Sequence, residues 1–274
     1  MPTTRGRRVL PSLAALGLAA ALAACASPAP APSPTPSETH PTPETPAISG
    51  ELAISAAASL TKAFDEIAAA FEVEYPDVDV LPIEYDGSST LATQIIEGKP
   101  VDVFASADEA NLQKVTDAGL ITGGGTRFAT NTLVVVVPAG NPGGVASIAD
   151  LADPAVRVVL CDAEVPCGKA SIKLIDLNGI AVTPVSLEQN VSAVLTKVGA
   201  GEADAGLVYA TDVARGADVE SFVPDHAGEV INKYPIAALD GAANPAAAAA
   251  FVAFVTGPAG QAILAELGFG KPGA

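Results

Sequence analysis

Hydroxyl and small residues stand where predicted strands of this sequence run into helices. Ser59 follows the alternating stretch 51–55 and precedes apolar residues at helical spacing, and Ser88 follows Gly87 just ahead of a second helix. We expect Ser59 to cap its helix. Backbone N–H groups and the positive end of the dipole make a helix start suitable for an anion. Such turns therefore indicate a site built from hydrogen-bond donors.

Three further residues also stand at a predicted helix start or strand end. Cys167 follows Pro166 at the start of a predicted helix, Val191 follows the predicted cap Asn190, and Tyr209 ends the predicted strand 205–209. Ordinary capping, or core packing for Tyr209, explains each of them when it is taken singly. Their order along one chain is what favours a ligand site.

Strand-like and helix-like stretches alternate through the region after residue 47. The apolar run 131–138 is typical of a strand that is buried on both faces. Repeated strand–helix–strand units predict an α/β fold with mostly parallel sheets flanked by helices. Ligands of such folds lie at the carboxyl ends of strands, where the loops enter helices. The donor-bearing turns are therefore predicted to lie at the binding edge.

The N-terminal 47 residues have the composition of an export and anchoring segment. Three arginines precede an apolar run that ends in Leu22-Ala23-Ala24-Cys25, which predicts a lipoprotein signal peptide over 1–24 and a lipid on Cys25. An ordinary signal peptide that happens to contain a cysteine is the alternative. Eight prolines within 26–47 predict an extended, disordered tether over 25–47.

The charge of the chain limits its partners. Fourteen basic and 31 acidic residues give a net charge of −17, and removal of 1–24, with three arginines and no acidic residue, takes it to −20. Nucleic acid and anionic lipid are unsuitable partners for such a surface. A bound anion must be held by local donors against this unfavourable field.

The remaining cysteines and the histidines leave little room for metal or catalytic chemistry. Cys161 and Cys167 are six residues apart in an exported chain, which predicts a disulfide. The histidines are His40 in the tether and His226, and neither has a Cys or His neighbour. We expect no cation site and no histidine-based catalysis.

The order of these motifs resembles the periplasmic molybdate-binding proteins of ABC importers. The resemblance extends over about residues 50–270. It is carried by Ala56-Ala57-Ala58-Ser59-Leu60-Thr61, Gly87-Ser88-Ser89-Thr90-Leu91-Ala92, the stretch 101–107, the stretch 131–136, Val165-Pro166-Cys167-Gly168, Gly206-Leu207-Val208-Tyr209 and Gly257-Pro258-Ala259-Gly260-Gln261.

The resemblance implies a two-lobed periplasmic-binding-protein fold of type II, with the ligand in the cleft. Lobe 1 would hold 48–130 plus 238–274 and lobe 2 would hold 131–237, with strands 131–137 and 234–239 crossing between them. It implies a monomeric binding protein without enzymatic activity or cofactor, which delivers molybdate or tungstate to ABC permease subunits. The protein would be lipid-anchored to the outer face of the cytoplasmic membrane and would touch the membrane only through that anchor.

The resemblance also implies which residues hold the oxyanion. In the family, the hydroxyls of two serines and one tyrosine and two main-chain N–H groups at helix starts hold the ligand. The hydroxyl positions correspond to Ser59, Ser88 and Tyr209, and the N–H positions correspond to Cys167 and Val191. Ser89, which follows Ser88, is the second choice for the serine of that loop. Asp86 stands where a neutral residue is common, and we expect its carboxylate to turn away from the ligand into a turn with Gly87.

Three other functions remain open from the sequence. The first is a receptor for another tetrahedral oxyanion, such as sulfate, in the same fold. The second is an exported hydrolase with Ser59 or Ser88 as nucleophile, which requires a base, and His226 is the only histidine in the folded region. The third is an adhesin or structural lipoprotein, for which the loops would have no reason to collect donors.

Overall fold

The computed structural model describes residues 48–215 and 218–273 of the 274-residue chain. The predicted signal peptide 1–24, Cys25 and the tether to residue 47 lie outside the described residues. Within the described ranges no single helix is long and apolar enough to cross a membrane. One bent pair of consecutive helices in these ranges, 245–256 and 258–266, reaches that length and apolar composition when the two are taken together.

The described residues form short strands, α-helices and four 3₁₀ turns. The strands are β1 Gly50–Leu52, β2 Ile54–Ala57, β3 Val78–Val80, β4 Glu84–Asp86, β5 Val103–Ala105, β6 Thr126–Pro138, β7 Val158–Cys161, β8 Ser186–Glu188, β9 Ala205–Tyr209, β10 Val219–Phe222 and β11 Ile231–Ala238. The helices are α1 Thr61–Glu74, α2 Ser88–Ile96, α3 Glu109–Asp117, α4 Pro166–Leu177, α5 Val191–Gly199, α6 Pro245–Thr256 and α7 Pro258–Glu266. The 3₁₀ turns are Ala58–Leu60, Ile148–Ala152, Ala210–Arg215 and Ala227–Glu229.

One mixed sheet runs through the molecule in the order β4-β2-β5-β11-β6-β9-β7-β8, and β10 also pairs with β6. Its outer parts are parallel, as predicted, because β2 pairs with β4 and β5, and β7 pairs with β8 and β9. The middle strands differ from the prediction. β11 runs antiparallel to β5 and β6, and β6 runs antiparallel to β9 and β10.

The apolar core is divided along this sheet. The first core draws on residues 52–129 and 234–269, in two clusters on opposite faces of the strands, since Phe104 lies in one and its neighbours Val103 and Ala105 lie in the other. The second core draws on residues 133–230 together with Ala58. β6 joins them, with Phe128 in the first core and Leu133 in the second.

The capping role predicted for Ser59 is wrong. Ser59 lies inside the 3₁₀ turn Ala58–Leu60, and α1 begins only at Thr61. The predicted cap Asn190 is present and accepts from Ala193 N at 3.0 Å, and Asn244 caps α6 in the same way by accepting from Ala247 N at 3.2 Å. Pro82 separates β3 from β4, because it cannot donate to a ladder.

Candidate anion-binding site

All five residues predicted to hold an anion line one cavity. The predicted set is Ser59, Ser88, Cys167, Val191 and Tyr209, and the rest of the lining is Ala57, Ala58, Asp86, Gly87, Ala107, Val165, Pro166 and Asn190. The cavity is small, with a volume of about 10 Å³. That is about the space that one water molecule needs, so the cavity has no room for a peptide or a sugar.

The cavity lies where the two cores meet. Ser59 and Ser88 belong to segments that pack on the first core, whereas Cys167, Val191 and Tyr209 are part of the second core. The fold therefore brings together residues that are far apart in the sequence.

Three helix starts face this cavity. Ser88 is the first residue of α2, Val191 is the first residue of α5, and Cys167 follows Pro166 at the start of α4. The first-turn N–H groups of a helix have no partner within that helix. Proline is well suited to the first position, because it has no N–H to satisfy. The site thus brings together the starts of three helices.

The serine hydroxyls of the site are held by other groups of the protein. Ser88 Oγ accepts a hydrogen bond from Ala107 N at 2.9 Å, so the proton of this buried hydroxyl is left for another acceptor. Ser59 Oγ lies 3.1 Å from the Tyr234 hydroxyl, and either oxygen can donate in that pair. His226, which the sequence offered as a base for these serines, pairs with Glu229 at 2.7 Å and is not part of the lining.

Tyr209 is fully buried, and its hydroxyl accepts from Asn232 Nδ2 at 2.8 Å. Its ring packs edge-on against Tyr234, with the centroids 5.9 Å apart. Burial raises the pKa of Tyr209 and of Tyr234 above the ordinary value of 10.0, and the charge of Asp212 acts in the same direction. Both side chains are therefore neutral hydroxyls at physiological pH, and neither carries a negative charge that would repel an anion.

Asp86 forms the predicted turn, because its Oδ1 accepts from Gly87 N at 2.7 Å. The same oxygen accepts from Asn190 Nδ2 at 2.8 Å, and Asp86 nevertheless lines the cavity. Its Oδ1 thus lies between two donors of residues that also line the cavity. Ser89 is not among the lining residues.

Cys161 and Cys167 form the predicted disulfide, with an S–S distance of 1.99 Å and the Cα atoms 5.7 Å apart. The bridge closes the loop 162–166 just ahead of α4. The sulfur of Cys167 is therefore not available as a thiol, and the contact predicted through its backbone N–H stays a prediction.

Three residues beside the site were missed by the sequence analysis: Ala107, Asn232 and Tyr234. They bind the hydroxyls that face the cavity, and two of them lie in β11. A polar residue inside an apolar strand was the available signal for Asn232, since a buried amide needs partners. Among the described residues no cluster of three or more His, Cys, Asp or Glu side chains could hold a metal ion.

A family model described as bacterial extracellular solute-binding protein matches residues 52–270. The chain belongs to this family. Among the solute-binding proteins, the Mycobacterium tuberculosis protein described as molybdate-binding protein ModA is 48% identical over 223 residues, which cover 81% of this chain and 85% of the relative.

Two solved structures share the fold with this solute-binding protein. The periplasmic molybdate-binding protein of Azotobacter vinelandii has a TM-score of 0.69 at 21% identity, over 80% of this chain and 98% of the other. The sulfate-binding protein SubI of Mycobacterium tuberculosis has a TM-score of 0.69 at 20% identity, over 80% and 86%. At these identities the likeness confirms the periplasmic-binding-protein fold alone.

Proposed function

We propose that this solute-binding protein captures molybdate outside the cytoplasm and delivers it to the permease subunits of an ABC importer. One observation carries the proposal: the cavity between the cores is lined by hydroxyls and helix starts, with no lysine or arginine in its lining. The 48% identity to a molybdate-binding protein supports the choice of ligand. The same arrangement supports a binding role.

The donor set matches the protonation state of the ligand. Molybdate at neutral pH is a dianion without a proton, so every oxygen accepts and a site made of donors suits it. Hydrogen phosphate carries a proton and needs an acceptor, and the Asp86 oxygen Oδ1 is already engaged by Gly87 and Asn190. Each hydrogen bond to a charged ligand contributes roughly 1.5–3 kcal/mol. The five proposed donors, Ser59, Ser88, Cys167, Val191 and Tyr209, can therefore hold the ion without a formal positive charge.

Sulfate and tungstate are the competing tetrahedral ligands. Sulfate has shorter bonds to oxygen, so a cage fitted to molybdate stretches its hydrogen bonds and discriminates by size. Tungstate is nearly isosteric with molybdate, and we expect it to bind as well. Sulfate is the second candidate ligand, because a sulfate-binding protein has the same fold as this chain.

Capture involves closure of two lobes, which we assign to 48–130 plus 238–274 and to 131–237. Hydrogen bonds and ion pairs across the boundary support a closed form. Asp86 accepts from Asn190, and the charged pairs are Lys169–Asp108 at 3.5 Å and Lys114–Glu164 at 3.9 Å. An ion that contacts both lobes stabilises this form over an open one.

The N-terminal region completes the proposal. A signal peptide over 1–24, a lipid on Cys25 and the tether 25–47 would hold a monomeric binding protein at the outer face of the cytoplasmic membrane. Cys25→Ala should release the protein from the membrane fraction or block its processing. Unchanged retention in that fraction would contradict the anchor without affecting the assignment of the ligand.

Isothermal titration of the mature chain with molybdate, tungstate, sulfate and hydrogen phosphate tests the function. Molybdate and tungstate should bind tightly and raise the melting temperature, whereas sulfate should bind much more weakly and hydrogen phosphate least. A preference for sulfate would replace the proposed ligand within the same class. Binding of none of the four would overturn the proposal and favour a structural lipoprotein.

A further inference from the structure

Asn232 connects the hydroxyls of the two sides of the cavity. It lies in β11, is only 8% exposed and donates from Nδ2 to Tyr209 Oη at 2.8 Å and to Ala107 O at 3.2 Å. A carbonyl oxygen can only accept, so the amide group must present its nitrogen to Ala107. The orientation of the Asn232 side chain is thereby fixed.

The amide in turn determines the role of the Tyr209 hydroxyl. Since Nδ2 can only donate, the Tyr209 oxygen accepts from it, and the proton of that hydroxyl points elsewhere. The acceptor in the structure is the Tyr234 hydroxyl, with which Tyr209 shares a hydrogen bond, and an anion in the cavity would be the alternative acceptor. A charged oxygen is the stronger acceptor of the two. Tyr209 is thus arranged as a donor.

The second contact of Asn232 reaches the other side of the cavity. Asn232 holds the carbonyl of Ala107, and the N–H of the same residue donates to Ser88 Oγ at 2.9 Å. Ser88 is therefore also an acceptor toward the protein and a donor toward the cavity. One side chain in β11 thus supports a hydroxyl of each core.

We infer that Asn232 is a positioning residue that makes Tyr209 a hydrogen-bond donor and so selects oxyanions that carry no proton. The inference rests on the proposed function and deepens it, since it concerns the specificity of the same site. The alternative is a purely structural amide that satisfies two buried groups. That role would affect stability, but it would leave the direction of the Tyr209 proton and the preference among anions unchanged.

Asn232→Asp separates the two roles, because it keeps the shape and replaces the donor by an acceptor. The Tyr209 hydroxyl should then donate to the new carboxylate and no longer to the anion. Molybdate affinity should fall about tenfold or more, and Tyr209→Phe should cost less than about twofold in this background. In the parent chain Tyr209→Phe should cost about tenfold or more.

Asn244→Asp is the control for the exchange of an amide donor for a carboxylate. Asn244 lies outside the cavity lining, and its Nδ2 donates to Ser49 O at 2.9 Å and to Glu51 O at 3.1 Å. In this background Tyr209→Phe should keep its full cost. Isothermal titration gives all the affinities, and circular dichroism of each variant shows whether it is folded.

Anion competition provides the second readout. The ratio of molybdate affinity to hydrogen phosphate affinity should fall at least fivefold in Asn232→Asp, because the Tyr209 oxygen can then accept from the proton of the phosphate. If that variant does not fold, Asn232→Ala frees the Tyr209 hydroxyl to accept, and the same ratio should fall. Folded Asn232 variants that retain the parent's ratio and the full cost of Tyr209→Phe would overturn the inference. A parent chain that binds no molybdate would instead refute the proposed function.

Discussion

At the scale of single residues, the proposed site combines three hydroxyls with two main-chain N–H groups. Ser88→Ala removes a donor to the anion and also leaves Ala107 N without its acceptor, so molybdate affinity should fall roughly ten- to a hundredfold. Ser59→Ala and Tyr209→Phe should lose affinity in the same range. Isothermal titration with molybdate measures each loss.

Val191→Ala is the control for this series, because it keeps the backbone N–H at the start of α5. It should bind nearly as well as the parent, apart from a small packing change. An equal loss in folded Val191→Ala and in Ser88→Ala would show that the side chains and the amides have been assigned wrongly.

The five lining residues were accessible from the sequence because each stands at a strand–helix turn or at a strand end. The residues that orient them were not. Tyr234 lies 175 residues from Ser59 in the sequence, and Asn232 lies 125 residues from Ala107. No local sequence pattern therefore indicates either contact. The predicted capping role of Ser59 failed for a related reason. Its hydroxyl oxygen lies beside the Tyr234 hydroxyl. Because of the 3₁₀ turn, α1 begins at Thr61, whereas a cap at Ser59 would begin the helix at Leu60.

At the scale of elements, Gly87 lies close to the backbone of Gln189 on the other side of the cavity. A Cβ at this position would lie 2.1 Å from the carbonyl oxygen of Gln189, next to the start of α5. Gly87→Ala should therefore obstruct closure and weaken molybdate binding about tenfold or more, since backbone atoms would have to shift. The melting temperature without ligand should change little, because an open form avoids the collision. Titration combined with thermal unfolding measures both effects.

Gly241→Ala is the matched control, because a Cβ at Gly241 would meet no atom within 4 Å. Its molybdate affinity should equal that of the parent. A Gly87→Ala protein with unchanged affinity would show that the two sides do not close to this distance in the bound form.

The disulfide acts on one element, the loop that leads into α4. Replacing both Cys161 and Cys167 by serine should lower molybdate affinity several-fold, because the loop no longer holds the amide at the start of α4. The free energy of unfolding should fall by about 2–3 kcal/mol or less, since the closed ring is short. Titration and urea unfolding measure the two quantities. Parent-like affinity would show that α4 is positioned by packing alone.

The elements themselves were predicted unevenly. Long apolar runs such as β6 and capped helices such as α5 carry strong local signals. β8 and β10, with three and four residues, were missed because strands this short show too little alternation. The antiparallel course of β11 also escaped prediction, since the direction of a strand depends on long-range pairing.

At the scale of the whole molecule, the acidic surface opposes the proposed ligand. A net charge of −17 repels a dianion at long range, and salt screens that repulsion. The association rate of molybdate should therefore rise several-fold between low and physiological ionic strength, while the dissociation rate changes little. Stopped-flow tyrosine fluorescence can follow this, since the chain has four tyrosines and no tryptophan. A rate that falls with added salt would reveal local positive steering.

The long strand β6 has a consequence for how the molecule moves. Residues 126–132 pair with β11, and the rest of the strand pairs with β9 and β10, so the connection between the cores is a paired ladder. Opening of the proposed lobes should therefore twist this ladder and not swing a loop. We expect its amides to stay shielded from deuterium in both the open and the closed form, and those at the three helix starts to be shielded only when the cleft is shut. The pivot should thus be the part of the molecule that exchanges most slowly.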